Sequence, residues 1–281
     1  MKRLLPLILS LMLFGCSSPA SEQAGLDTVE PTTVPTATAT AEVLELSFSA
    51  TETPPPLAIT PSPSPTPTPV PTATPNPLEG LNAVYHGTDD RFYHVDLSDE
   101  VRERITGLSY PKSGAKIGYD ELRYVHIMHV DFDGITHEGE LIVNEKLADE
   151  VMEIFYQLFI ANYALTSVRL VDDFGEAADD TLSMEANNTS AFCYRTTSSG
   201  NLSRHSYGAA IDINPMMNPY VKSNGSYSPK NSTDYLDRST IRPGMIDEND
   251  LCYQLFTSYG WEWGGHFRTE KDYQHFSKDI T

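Results

Sequence analysis

The sequence predicts an α+β domain, a mostly antiparallel sheet with flanking helices, carried on a long extended tether. Three observations predict it. Strand-like runs on either side of an Asp-Gly turn read as a β-hairpin, and two other segments repeat apolar residues at three- and four-residue spacing as helices do. Strands and helices also follow one another without a regular βαβ alternation, which argues against a parallel sheet. The chain has 281 residues and is 40% hydrophobic, but 15 of its 20 prolines fall within the first 78. A packed core is therefore expected over residues 79–281 only, a length that suits one domain.

The elements follow in order from the N-terminus. The chain opens MKR, continues with an apolar run from Leu4 to Phe14 and reaches Cys16 in the tetrapeptide LFGC. That run is too short to span a bilayer but suits the centre of an export signal. The cysteine after a small residue resembles a bacterial lipoprotein signal, which implies lipid on Cys16, residues 1–16 as the signal segment, and an extracytoplasmic protein anchored to the cell membrane. Residues 17–78 hold 14 prolines and 13 threonines. Proline at alternate positions removes amide donors and keeps the backbone extended, so this tract is expected to be a polyproline-type stalk. At about 3.1 Å per residue it would reach roughly 190 Å, enough to work within a thick cell wall.

Within residues 79–281, RYVHIMHVDF from Arg123 and ITHEGELIVN from Ile135 are the two strands of the hairpin, with Asp133-Gly134 between them. Asn144 is placed to cap a helix whose apolar face is Leu147, Val151, Ile154, Phe155, Leu158 and Phe159, ending near Tyr163. TSVRLV reads as a further strand, DENDLCYQLFTSYG as a second helix stopped by Gly260, and DYQHFS as a last short strand.

The chemistry is concentrated in two stretches. In NLSRHSYGAAIDINP, Asn201 to Pro215, strand alternation along GAAIDIN places Asp212 opposite the face of Ala209, Ile211 and Ile213. His205 lies seven residues earlier, an odd offset, and reaches the side of Asp212 only through a turn or bulge, which Gly208 permits. In GWEWGGHFRTEKDYQHF, Tyr273, His275 and Ser277 are expected on one strand face, with Asp272 at the bend that enters it. Two histidines and a carboxylate suit a divalent metal such as zinc with one position left open, and a nearby unliganded carboxylate suits the base of metal-assisted hydrolysis.

These strings, S-R-H-S-Y-G-A-A-I-D-I-N-P with G-W-E-W-G-G and D-Y-Q-H-F, resemble the zinc D-alanyl-D-alanine carboxypeptidase family. That family includes VanY-type carboxypeptidases, VanX-type dipeptidases and L-alanyl-D-glutamate endopeptidases, on the hedgehog/D,D-peptidase fold. The resemblance runs from about Tyr119 to Phe276. It implies one Zn2+ held by His205, Asp212 and His275, with Asp272 as general base, Arg195 as the arginine that stabilises the oxyanion and Ser203 as a substrate contact. It also implies peptidoglycan stem peptides as substrate and β-lactam insensitivity, because no acyl-enzyme forms. Phe267 departs from the pattern, which often carries tryptophan there and so bears on subsite shape. Cys193 stands where a polar residue is usual.

Charge and the remaining residues bound the alternatives. Residues 79–281 carry 17 basic and 33 acidic side chains, a net charge of -16 that would repel nucleic acid. A monomer is expected. Cys193 and Cys252 are equally compatible with a disulfide formed after export and with two separate buried thiols. His126, His129 and His137 are expected to hydrogen-bond within the hairpin, His266 to lie near the site, and Trp261 and Trp263 to pack in the core. A non-haem iron oxygenase also uses two histidines and a carboxylate, though its ligands usually lie closer together. A wall-binding module without catalysis would have no use for Asp272.

Overall fold

From the first strand onward, alternating apolar residues and a short list of turn formers set the order of elements. The structure, a computed structural model, describes residue 78 and residues 80–175, 180–197 and 199–280. The expected signal segment 1–16 with Cys16, and the stalk apart from Leu78, lie outside the described residues. Among the described residues no helix is long and apolar enough to cross a membrane.

The chain forms β1 (Val84–Tyr85), β2 (Tyr93–Asp96), α1 (Asp99–Ile105), β3 (Leu122–Val130), β4 (Thr136–Asn144) and α2 (Ala148–Ile160). β5 (Ser167–Val168), α3 (Asp180–Glu185), β6 (Asn188–Thr189) and β7 (Ala210–Asp212) follow, then β8 (Tyr220–Val221) and β9 (Tyr227–Ser228). The last elements are α4 (Leu251–Ser258), β10 (Glu262–Trp263), β11 (Lys271–Asp272) and β12 (His275–Ser277). Among the described residues the strands make four sheets: β1-β2-β3-β4, β10-β12-β7, β11-β8-β9 and the pair β5-β6. The first three are antiparallel and β5-β6 is parallel. The α+β class holds, although the antiparallel pairing is spread over several small sheets.

The hairpin is the frame. β3 and β4 pair from Leu122 opposite Asn144 to Val130 opposite Thr136, and alternation turns Val125 and Ile127 inward from β3 with Leu141 and Val143 from β4. They meet Val151, Ile154, Phe155 and Leu158 of α2, and the same cluster takes in Ile211 of β7, Phe276 of β12, and Phe256, Trp261 and Trp263. The site strands are thus fixed to the main core. Burying a side chain such as Phe155 contributes on the order of 2–3 kcal/mol, and Phe155→Ala should cost about 3–5 kcal/mol.

Four details differ from the expectations. Asn144 accepts from the Lys146 amide at 3.1 Å, so it starts a 3-10 turn over Glu145–Leu147 that leads into α2. α2 stops at Ile160 because Asn162 takes a left-handed conformation, φ 54°. TSVRLV contracts to the two residues of β5. DYQHFS is two strands in different sheets, since Asp272 pairs with Tyr220 while His275 pairs with Asp212, so Tyr273 does not share a strand with His275 and Ser277. α4 begins as expected near Asp250, whose side chain accepts from the Cys252 amide at 2.8 Å, and is followed by Gly260 at φ 81°. Cys193 and Cys252 are both free and buried, which settles them as separate thiols. Burial pushes the Cys193 thiol up to about 12.

Candidate metal centre

A tight turn brings His205 to Asp212. Ser203 caps the 3-10 turn Arg204–Tyr207, its hydroxyl accepting from the His205 amide at 3.3 Å, and Gly208 closes it at φ 64°. Glycine is required there twice over, because a Cβ would also lie 2.5 Å from the Asn144 amide nitrogen. The chain then enters β7, where Asp212 pairs with His275 on β12. On its other side Asp212 exchanges two backbone hydrogen bonds with Ser190, at 2.9 and 3.1 Å.

These constraints converge three donor atoms. His205 Nε2 lies 3.2 Å from His275 Nδ1 and 3.3 Å from Asp212 Oδ2, and His275 Nδ1 lies 3.0 Å from Asp212 Oδ1. Among the described residues this is the one group of three or more histidine, cysteine and carboxylate side chains that can converge on a metal ion. His205 Nδ1 lies 2.5 Å from the carbonyl oxygen of Ala191. A carbonyl only accepts, so Nδ1 carries the hydrogen and the Nε2 lone pair faces the cluster, the tautomer a metal ligand needs. The donor chemistry, N, N and O at nearly buried positions, fits Zn2+ with an open coordination position.

The charges are arranged accordingly. Burial alone would raise the Asp212 carboxyl, but His205 and His275 outweigh it and hold it well below the usual carboxylate range. His275 is raised despite its own burial, through its hydrogen bond to Asp212. Asp272 behaves differently. Burial and the Asp212 charge push it up to about 6 against the pull of His275, and its Oδ1 is buried without a hydrogen-bond partner among the described residues. A buried carboxylate oxygen with nothing to accept from is costly, and such groups cluster at sites of chemistry.

Asp272 is held by close packing. Gly264 lies so near that a Cβ there would meet the Asp272 carbonyl oxygen at 2.5 Å and its Cβ at 2.8 Å, and β11 fixes the same residue against Tyr220. Arg195 stands beside the cluster; burial alone would lower it, but the carboxylates of Asp180, Asp212 and Asp272 outweigh that and raise it. Its Nε is 2.5 Å from Asp180 Oδ2 but out of line for a hydrogen bond, so the contact is an ion pair. Ser203 is nearly buried and engaged with the His205 amide.

The other candidates sit elsewhere. His126 bonds the Arg91 carbonyl, His129 the Leu165 carbonyl and His137 the Asp131 carboxylate, and none joins the cluster. His266 pairs with Glu248 at 3.1 Å and packs edge-on to Trp263 and Tyr253. Trp261 and Trp263 are core residues, as expected. The Ala191 carbonyl and the Ser190 backbone were not foreseen. Both act through main-chain atoms, which every residue carries, so no side-chain pattern marks them.

Residues 196–278 match the family model described as D-alanyl-D-alanine carboxypeptidase, under a third of the chain but all of the donor cluster and Asp272. No curated protein and no solved structure matches the chain. Residues 196–278 are thus similar to D-alanyl-D-alanine carboxypeptidases, which supports a peptidase, and His205, Asp212 and His275 converge within that stretch as a possible metal-binding group.

Proposed function

We propose that this protein is an exported zinc metallopeptidase that hydrolyses peptide bonds in peptidoglycan stem peptides, as a D-alanyl-D-alanine carboxypeptidase on a D,D-peptidase-like fold. The observation that carries the reading is the approach of His205 Nε2, Asp212 and His275 Nδ1 to within 3.3 Å of one another beside a buried, unpartnered carboxylate oxygen of Asp272. The charged donors alone suit a binding site, whereas the added carboxylate suits a hydrolase, because hydrolysis needs a group that takes a proton from water and returns it to the leaving amine.

His205, Asp212 and His275 would hold the ion, which supplies Lewis-acid polarisation and water acidified to a pKa of about 7. Asp272 holds and moves the proton at Oδ1, the oxygen left free in the structure. A carboxyl near 6 is balanced between the two protonation states close to neutral pH, so it can both receive and deliver. Arg195, ion-paired with Asp180 and within electrostatic reach of Asp212 and Asp272, supplies a permanent positive charge where an oxyanion develops. Ser203 keeps the His205 turn closed and, as the resemblance implies, contacts substrate. Lipid on Cys16 and the proline-threonine stalk place the domain at the outer face of the membrane with reach into the wall.

Digestion of purified peptidoglycan, with released products identified by mass spectrometry, tests the reading. Free D-alanine is the expected product. Fragments cut between L-alanine and D-glutamate would make the protein an endopeptidase of the same family, and binding without release would make it a wall-binding module.

A further inference from the structure

The turn after β10 is built to hold one aromatic ring beside a metal ligand. Gly264 is pressed against Asp272, as described, and a Cβ at Gly265 would lie 2.4 Å from the Trp263 ring, so the chain passes between these two walls only because both residues are glycine. The Phe267 amide bonds the Gly264 carbonyl at 3.1 Å. From the next strand, Lys271 reaches back with its ammonium group to the carbonyl oxygens of Gly265 at 2.9 Å and Phe267 at 2.8 Å. Two close packings and three hydrogen bonds thus fix a turn of four residues, 264–267, and at its end the half-buried Phe267 ring stands 6.2 Å from the His275 ring, centre to centre, tilted at 52°. Trp263, the aromatic residue before the turn, is committed to the core, and its indole N–H donates to the Tyr273 carbonyl at 2.8 Å.

Resting on the peptidase reading, we propose that Phe267 is a specificity-determining residue, the apolar wall that limits the side chain next to the scissile bond to about the size of a methyl group, and that Lys271 is its positioning residue. An aromatic ring at a fixed distance from a ligand discriminates by volume, since it offers no hydrogen bond to a larger or more polar group, and a fixed wall rejects by clash what a mobile one would admit. The two carbonyl contacts of Lys271 prevent the turn from moving outward, so the wall depends on them.

The test uses the zinc-loaded protein and a series of hydroxamates whose side chain grows from methyl to isobutyl, with affinity measured by calorimetry alongside zinc content. Wild type should favour methyl over isobutyl by at least about tenfold, since a single methylene is worth about that much and isobutyl adds three carbons. Phe267→Ala should reduce that ratio by about tenfold or more with zinc content unchanged, and Phe267→Leu, which keeps an apolar side chain and safeguards folding, should shift it in the same direction. Lys271→Met should relax the ratio and Lys271→Arg restore it. An unchanged ratio in both Phe267 variants would overturn the wall, and an unchanged ratio in Lys271→Met would overturn the clamp. A protein that shows the methyl preference but hydrolyses no peptide would count against the peptidase reading and leave the wall standing.

Discussion

Asp212 and His275 face each other across adjacent antiparallel strands, and their side chains meet at 3.0 Å. Direct cross-strand pairing is the shortest-range relationship a sheet offers, with Cβ atoms about 5 Å apart. Two of the three metal donors are thus placed by register alone, and the third by a glycine-closed turn. The third donor also depends on residues outside the family match, since the carbonyl that orients His205 belongs to Ala191.

Ligands and base should separate in mutants. His205→Ala and His275→Ala each remove one of three donors and should lose both zinc and activity. Asp272→Asn keeps the shape and all three donors, so zinc should stay while turnover falls by roughly 100-fold or more, the scale of general-base catalysis. Zinc content by atomic absorption beside kcat makes the comparison. Full activity in Asp272→Asn would assign the base to another residue.

Gly264 should be intolerant of even one carbon. In Gly264→Ala the new Cβ would meet Asp272 backbone at 2.5 Å, which a flexible side-chain tip cannot relieve. Asp272 must then move, and displacements of about 1 Å at a reacting group can cost on the order of 100-fold. The expected outcome is a fall in kcat with zinc content kept. Unchanged kcat would show that Asp272 is not held by this contact.

The legibility of this chain follows from what each feature depends on. The hairpin, α2 and α4 are written in side chains: alternation in β3 and β4, apolar spacing in α2, and an aspartate and a glycine at the ends of α4. The donor set was legible for the same reason, because His205, Asp212 and His275 are themselves the chemistry, and Gly208 announces the turn between the first two. The split of DYQHFS into β11 and β12 was hidden, since the partners Tyr220 and Asp212 lie more than 50 residues upstream and only the folded sheets reveal them. The placement of Arg195 beside Asp180 was hidden too, because no local spacing joins them.

Asp250 should make stability depend on pH. Burial raises its carboxyl above the ordinary aspartate value of 3.8 even as it caps α4 and accepts from Tyr163 Oη at 3.1 Å. A raised value means that the folded chain holds this proton more tightly than the unfolded one. The stability it contributes is therefore fully present below 3.8 and is lost as pH rises through the higher folded value. Asp250→Asn retains a good cap and should remove this dependence, so its melting temperature relative to wild type should rise as pH increases from 3.8 through the higher folded value. Asp250→Ala loses the cap and should cost about 1 kcal/mol. A difference between wild type and Asp250→Asn that is flat with pH would contradict the assignment.

The tether should matter only for the wall. Cys16→Ala should move the protein from the membrane fraction to the medium or to an unprocessed precursor. Deleting residues 54–77 should leave hydrolysis of small soluble peptides unchanged and reduce cleavage of intact wall, because the donors and Asp272 all lie beyond residue 200. An equal loss on both substrates would show that the tract takes part in the fold.

The most direct test of a zinc peptidase built on His205, Asp212 and His275 is release of D-alanine from stem peptide by the same protein sample before chelation, after chelation and after addition of one equivalent of zinc. Release should be present, then abolished, then restored, with the His205→Ala variant silent in all three states. Full release from protein shown to be free of metal would contradict the account.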